Sequence, residues 1–270
     1  MDINMVIRTS QIVGIVGPNG AGKSTLVYLL AGLLRPSAGT FLIDGKSLYT
    51  SKGVFRSALA ALRKSVALVS QFPEDQFFTE SVYDELSFGL KKQGVDEGEI
   101  GQRVMSTLHE LGLKLSRESI MHRSPFEFGG GEKRLISIAC ALVSGPEILI
   151  LDEPTAGLDT MAGHMVFEAI RRLHQQLGVS IVLVSHELER LIRLADHLII
   201  LHRGRIVQQG SPQGIFSKPE DILGLGLQLP QITALGYELE KNGIKLDPWP
   251  LFDIQEAAAL IREWLKSEGI

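Results

Sequence analysis

The sequence is short of most features that mark a secreted, membrane-spanning or nucleic-acid-binding chain. It has one cysteine, Cys140, in 270 residues, so no internal disulfide framework can form and a reducing compartment is expected. Cys140 stands in an apolar run with helical spacing, which predicts a packed structural thiol rather than a reactive one. No apolar run approaches the roughly 18 residues that a membrane-spanning helix requires. The opening MDINMVIRTSQ is too short and too polar for a signal peptide, so a soluble chain is expected, with any membrane attachment made through a partner. Positive charge is not in excess either. Lys and Arg number 27 against 31 Asp and Glu, for a net charge of −4, and no basic field favours nucleic acid or anionic lipid.

What remains is an ordinary globular composition, 44% hydrophobic and 21% charged, long enough for one sizeable core and a small second unit. Gln11 to Val16 is a short apolar β run ending at a glycine-rich loop. A helical pattern follows, with Leu26, Leu29, Leu30 and Leu33 on one face. FLIDG reads as a strand entering a turn, residues 55–64 as a helix, and SVALVS (65–70) as another strand. From Phe72 to about Leu142 the strand signal fades, and SVYDELSFGLKK and EIGQRVMSTLHELGL have helical spacing. Buried-type strands return at ILIL (148–151), SIVLVS (180–185) and HLIIL (197–201), with Val166 to Gly178 as a crossover helix between two of them. Short apolar runs alternating with helices predict an α/β fold with a mainly parallel sheet covered on both faces.

After Gly210 the composition shifts. Pro230 as the first helical residue and Gly243 as the stop bound one short helix. Asp253 and Glu256 form a capping pattern before a second helix with Ile254, Ala257, Ala258, Ile261, Trp264 and Leu265 on one side. Residues 216–270 are expected to form a small appended unit whose apolar face packs on the main domain or receives a partner.

Chemistry concentrates at the strand ends. GPNGAGKST, from Gly17 through Pro18, Asn19, Gly20, Ala21, Gly22, Lys23 and Ser24 to Thr25, follows a strand and opens a helix. That context turns a glycine turn into a phosphate loop: successive backbone N–H groups face an anion, Lys23 offers a point charge, and the Ser24 hydroxyl can ligand Mg²⁺. ILILDEP places Asp152 at the C-terminal end of a buried strand, suited to hold Mg²⁺, with Glu153 next to it to polarise an attacking water. His186 ends SIVLVS and Gln71 ends SVALVS in the same manner. A lone histidine is more often structural, and a lone glutamine is common in turns. Four polar strand ends aimed at one crevice predict a nucleoside triphosphatase.

The order of these motifs resembles the ATP-binding cassette (ABC) ATPases: GPNGAGKST, Gln71, FGGGE (Phe128, Gly129, Gly130, Gly131, Glu132), ILILDEP, AGLD ending at Asp159, then His186. SQFPEDQFFTESVYDELSFGL, HRSPFEFGGGEKRLISIACAL and the tail GLQLPQITALGYELEKNGIKL are similar to ATPase subunits of energy-coupling factor (ECF) transporters, importers of vitamins and transition-metal ions. The resemblance covers nearly the whole chain. It implies a P-loop NTPase fold with an ABC ATPase domain over 1–215, a helical subdomain over about 72–142 and a C-terminal extension over 216–270. It also implies ATP and Mg²⁺ as cofactors. ATP would be sandwiched between two ATPase subunits, the phosphate loop of one facing the signature sequence of the other. Gly17 to Thr25 would bind phosphates, and Asp152, Ser24 and Gln71 would serve the metal. Glu153 would activate water, Gln71 and His186 would contact the γ-phosphate region, and Asp159 would communicate across the pair. The partners implied are a second ABC ATPase, a transmembrane coupling subunit and a membrane protein that captures substrate, at the cytoplasmic face of the membrane. No nucleic acid is expected.

Two departures stand out. The usual signature is LSGGQ, and Gly129 here removes a hydroxyl that would donate to the partner's ATP. Its own phosphate loop, Glu153 and His186 are whole, so a heterodimer with one sound and one weakened site is expected. The backbone N–H groups at 129–132 keep anion contact possible. Secondly, only 16 residues precede Gly17, the family's β subdomain is largely missing, and no aromatic residue precedes Tyr28 to stack on adenine. Weakened ATP affinity and an exposed sheet edge near residues 3–7 and 11–16 are therefore expected. A soluble ABC ATPase acting on DNA or ribosomes is disfavoured: sustained heptads are missing between Lys23 and Asp152, and no second G-x-x-x-x-G-K-[ST] pattern occurs, the GKS at 45–47 having Thr40 in place of the first glycine. A subunit that binds ATP but scarcely hydrolyses it is the other alternative.

Overall fold

The computed structural model describes residues 3–50, 53–54, 56–244 and 246–267. In chain order the elements are β1 (Ile12–Val16), α1 (Lys23–Leu30), β2 (Leu42–Ile43), β3 (Lys46–Ser47), β4 (Tyr49–Thr50), β5 (Gly53–Val54) and α2 (Arg56–Ser65). They continue with β6 (Val66–Val69), α3 (Val82–Lys92), α4 (Glu97–Glu110), α5 (Arg117–His122), α6 (Gly130–Leu142), β7 (Ile148–Asp152), α7 (Thr160–Leu177) and β8 (Ser180–Val184). The last elements are α8 (Leu188–Leu194), β9 (His197–His202), β10 (Arg205–Gly210), α9 (Pro212–Phe216), α10 (Pro219–Gly224), α11 (Gln231–Lys241) and α12 (Ile254–Ser267). Residues cluster into two compact units, one of 1–6, 12–23 and 185–270, the other of 7–11 and 24–184.

In the larger unit β6, β7 and β8 form a parallel ladder, with Val69 opposite Leu151 and Asp152 opposite Val184. Leu149, Ile150, Leu151 and Ile181 to Val184 are fully buried, which explains why these strands read as unbroken apolar runs instead of alternating ones. α6 and α7 pack together, and Leu135, Ile138, Val166 and Ile170 on them are buried. Each such side chain contributes about 1.5–3 kcal/mol over its exposed state. Among the described residues, 72–142 hold helices and no strand. The start of α3 is fixed by Ser81, whose hydroxyl accepts the Asp84 N–H, and that of α4 by Asp96.

In the other unit β1 runs parallel to β9, and β10 returns antiparallel with a register shift between Ile206 and Gln208. α8 lies against β1, and a Cβ at Gly14 would meet Leu198 and Leu191 at 2.5–3.0 Å. Leu246, Leu251 and Ala257 make a small core with Ile232, Leu239, Leu260 and Ile261 from α11 and α12. The Thr233 hydroxyl donates to the Leu251 carbonyl at 2.6 Å, and Arg193 on α8 reaches the Phe252 carbonyl and the Asp253 carboxylate.

Several sequence expectations require correction. The expected exposed edge at 11–16 is not there: every residue of β1 is buried, β1 is laddered to β9, and the Gln11 carbonyl accepts the Ile181 N–H. Residues 3–7 form no strand, with Val6 exposed. α1 ends at Leu30, leaving Leu33 exposed at 62%, because the chain turns at Gly32. Pro230 is the N-cap of α11 rather than its first residue. Ile254 is exposed and Leu260 takes a place in the core; Asp253 does cap α12, accepting the Gln255 and Glu256 N–H groups. Phe55, the first residue of the helix expected over 55–64, lies outside the described residues.

Candidate nucleotide site and its family

The phosphate loop is held by contacts that leave no room for side chains at its base. A Cβ at Gly17 would sit 2.2 Å from the Leu201 carbonyl oxygen, so β9 fixes the loop from beneath and only glycine fits. The Gly204 N–H donates to Ala21 and the Ala21 N–H to Pro18, closing the turn that leads into α1. Lys23 is 9% exposed, and its ammonium donates to the Gly17 carbonyl at 2.8 Å and the Pro18 carbonyl at 3.2 Å. Its charge is thereby held inside the loop by two backbone carbonyls. Asn19, Gly20 and Ser24 are exposed; Pro18, Gly22 and Thr25 are half-buried.

Gln71, Asp152 and Glu153 are brought to one end of the parallel ladder of β6 and β7. Asp152 ends β7 and is 5% exposed. Glu153 takes φ = 51°, a left-handed conformation uncommon for a glutamate, while its N–H donates to the Val184 carbonyl at 2.9 Å. Gln71 is exposed two residues beyond β6. His186 falls in the smaller unit, exposed two residues beyond β8. Asp159 caps α7, accepting the Ala162 N–H at 2.8 Å.

At the signature, Phe128 is buried with the Arg123 guanidinium 4.0 Å from its ring centre. Gly129 is the N-cap of α6, and its N–H donates to the Glu132 carboxylate at 3.1 Å. That N–H is therefore already engaged, which qualifies the expectation that the groups at 129–132 stand open to an anion. Gly130 is exposed, whereas a Cβ at Gly131 would strike Met165 at 2.5 Å and Ala162 at 3.0 Å. Cys140, on the same helix, has its thiol pKa pushed up by burial, in keeping with an unreactive sulfur.

Sequence reasoning missed Arg134 and Glu74. Arg134 is fully buried and pairs with Glu74 at 3.2 Å. Its place four residues before Ile138, on the apolar stripe of α6, was the available signal.

Residues 1–156 match the ABC transporter family. The chain belongs to that family. It is 40% identical over 265 residues to the energy-coupling factor transporter ATP-binding protein EcfA2 of Caldanaerobacter subterraneus subsp. tengcongensis, covering 98% of this ABC chain and 90% of the relative. The EcfA2 protein of Bacillus subtilis is 38% identical over 99% of this chain and 95% of its own. The solved structure of cbiO1 from Clostridium perfringens, part of the ABC transporter complex cbiONQ, superposes with a TM-score of 0.73 at 34% identity, covering 88% of this chain and 90% of that one. A dimeric post-hydrolysis state of the ATP-binding cassette MJ0796, bound to ADP and Pi, gives 0.65 at 25% identity over 78% and 90% of the two chains. The fold is thus that of an ABC ATPase.

Proposed function

We propose that this chain is the ATP-hydrolysing subunit that powers an ECF-type importer of vitamins or transition-metal ions, working in a pair of ATPases on a transmembrane coupling subunit and a substrate-capturing membrane protein. The observation that carries the reading is the acid pair at the end of β7, buried Asp152 followed by Glu153 in a left-handed turn. Nothing in a plain helix-capping role requires that turn. Among the described residues no helix is long and apolar enough to cross a membrane, so attachment to the cytoplasmic face would rest on the membrane partners.

The donors suit Mg²⁺: Asp152, Ser24 and Gln71 all present oxygen, the ligand a hard cation requires, and Mg²⁺ takes its remaining ligands from water and phosphate. Mg²⁺, when bound, neutralises charge developing on the transferred phosphoryl group. The chain's own residues do the rest. Loop N–H groups and the Lys23 ammonium bind phosphate oxygens. Glu153 orients the attacking water and takes its proton, and His186 contacts the γ-phosphate. Gln71 couples that phosphate to the membrane subunit, and Asp159 communicates with the partner ATPase. The signature Phe128 to Glu132 faces the partner's ATP. The hydrolysis-poor regulatory subunit stays as a second reading because Gly129 has no hydroxyl and its N–H is held by Glu132.

Lys23→Ala tests the phosphate site. Losing a charge-assisted contact of about 1.5–3 kcal/mol is expected to weaken ATP binding roughly tenfold to a hundredfold. Equilibrium binding of a fluorescent ATP analogue reads this directly, and unchanged affinity would remove the loop from the proposal.

A further inference from the structure

Arg134 is 0% exposed and heads the fully buried side chains by size. Its guanidinium joins three segments distant in sequence. Nη1 donates to the Glu153 carbonyl at 3.2 Å, and Nη2 donates to the Ala156 carbonyl and to Glu74 Oε1, each at 3.2 Å. Among the described residues Nε and the buried Glu74 Oε2 have no hydrogen-bond partner. Burying an arginine against a partly exposed carboxylate contributes little stability of its own, since apolar residues of similar volume often do as well or better. The arginine is there for what it holds.

What it holds is the Glu153 peptide. With φ = 51° that peptide sits in a sparsely populated region and must be fixed from both sides. Its N–H donates to Val184, and its carbonyl accepts both Arg134 and the Ala156 N–H at 3.0 Å. Glu74, the carboxylate that anchors the guanidinium, lies in the 3₁₀ turn Pro73–Gln76, three residues after Gln71.

We infer that Arg134 is a positioning residue for ATP hydrolysis: it fixes the backbone turn that aims the Glu153 carboxylate, and through Glu74 it ties that turn to the segment following Gln71. This rests on the reading of Glu153 as the group that activates water. The lever is geometric. Small misplacement of a catalytic group lowers turnover steeply while leaving substrate binding alone.

The test uses the full chain in its complete assembly with the partner subunits. Arg134→Lys keeps the charge, but one ammonium cannot span the three acceptors. It is expected to lower kcat at least about tenfold with KM for ATP within about threefold of wild type. Glu74→Gln keeps an acceptor and removes the charge, and is expected to lower kcat about threefold or more at unchanged KM. Together the two losses should be less than multiplicative, since they act through one contact. A purely structural pair would lower the thermal midpoint and leave kcat per folded molecule within about twofold of wild type in both variants, which would overturn the inference. If Arg134→Lys does not fold, the partly exposed Glu74→Gln decides alone by the same kcat criterion. Glu153→Gln in the same assembly separates the two levels. If it turns over at the wild-type rate, the reading of Glu153 falls; if it is inactive while Arg134→Lys and Glu74→Gln are fully active, only the Arg134 role falls.

Discussion

Replacing Glu153 with glutamine is expected to lower ATP turnover by about 10²- to 10⁴-fold while ATP binding stays within a few fold of wild type. Glutamine keeps the length and hydrogen-bonding shape of the side chain but cannot accept the proton of an attacking water. Binding is expected to survive because, under the proposed function, the affinity comes from other residues, the N–H groups of the phosphate loop and Lys23. The left-handed backbone at Glu153 is not disturbed by an isosteric change, so the structure around Asp152 should persist. Phosphate release under steady state gives kcat, and analogue binding gives the dissociation constant. Turnover within about tenfold of wild type would assign proton acceptance elsewhere. Lost binding with lost turnover would mean that Glu153 shapes the pocket rather than the chemistry.

The second large effect is a gain. Gly129→Ser restores a hydroxyl at the N-cap of α6, and the position accepts it without strain. Gly129 has φ −66° and ψ 161°, open to any residue, and the nearest atom to an added Cβ is Glu132 Oε2 at 3.7 Å. As a cap, serine over glycine is worth only a few tenths of a kcal/mol, so fold stability should hardly change. Toward a phosphate the same hydroxyl is worth about 1.5–3 kcal/mol, or roughly tenfold to a hundredfold in the site it completes. Under the proposed function that site would hold the partner's ATP. The gain is thus expected in a heterodimer at one of two sites, and in a homodimer at both. Equal turnover of Gly129→Ser and wild type in each assembly would show that the hydroxyl is immaterial and that the asymmetric-site proposal is wrong.

The glycine turn that opens α1, the buried strands and the cap at Asp253 were legible in the sequence because each is a local pattern with a local physical cause. Four apolar residues ending in Asp152 are too short a run for a helix and read as a buried strand, whereas the contact that makes Gly17 a glycine, the Leu201 carbonyl of β9, is visible only in the fold. What escaped depends on residues far apart in the chain. Periodicity put Ile254 on the inner face of α12 and missed Leu260, since it cannot tell which turn of a helix meets its neighbour. It counted Leu33 as helical because it has no sense of where a glycine ends the run. The expected bare edge at β1 followed from what precedes it, whereas its partner comes from β9, nearly the whole chain away. Arg134 illustrates the same limit. Its place on the apolar stripe of α6 hints at burial, but what it holds emerges only where the segments around 74, 134 and 153 meet.

The central claim is that this chain hydrolyses ATP as part of a membrane importer. The most direct measurement is Mg²⁺-dependent ATP turnover by the tagged chain isolated from detergent-solubilised membranes with its bound subunits, wild type against Glu153→Gln. The account predicts a second ATP-binding subunit and membrane subunits in the complex, turnover that stops when EDTA removes Mg²⁺, and its loss in the variant. A complex that binds ATP but turns it over equally slowly with either chain would contradict it and leave a regulatory, non-hydrolysing subunit in its place.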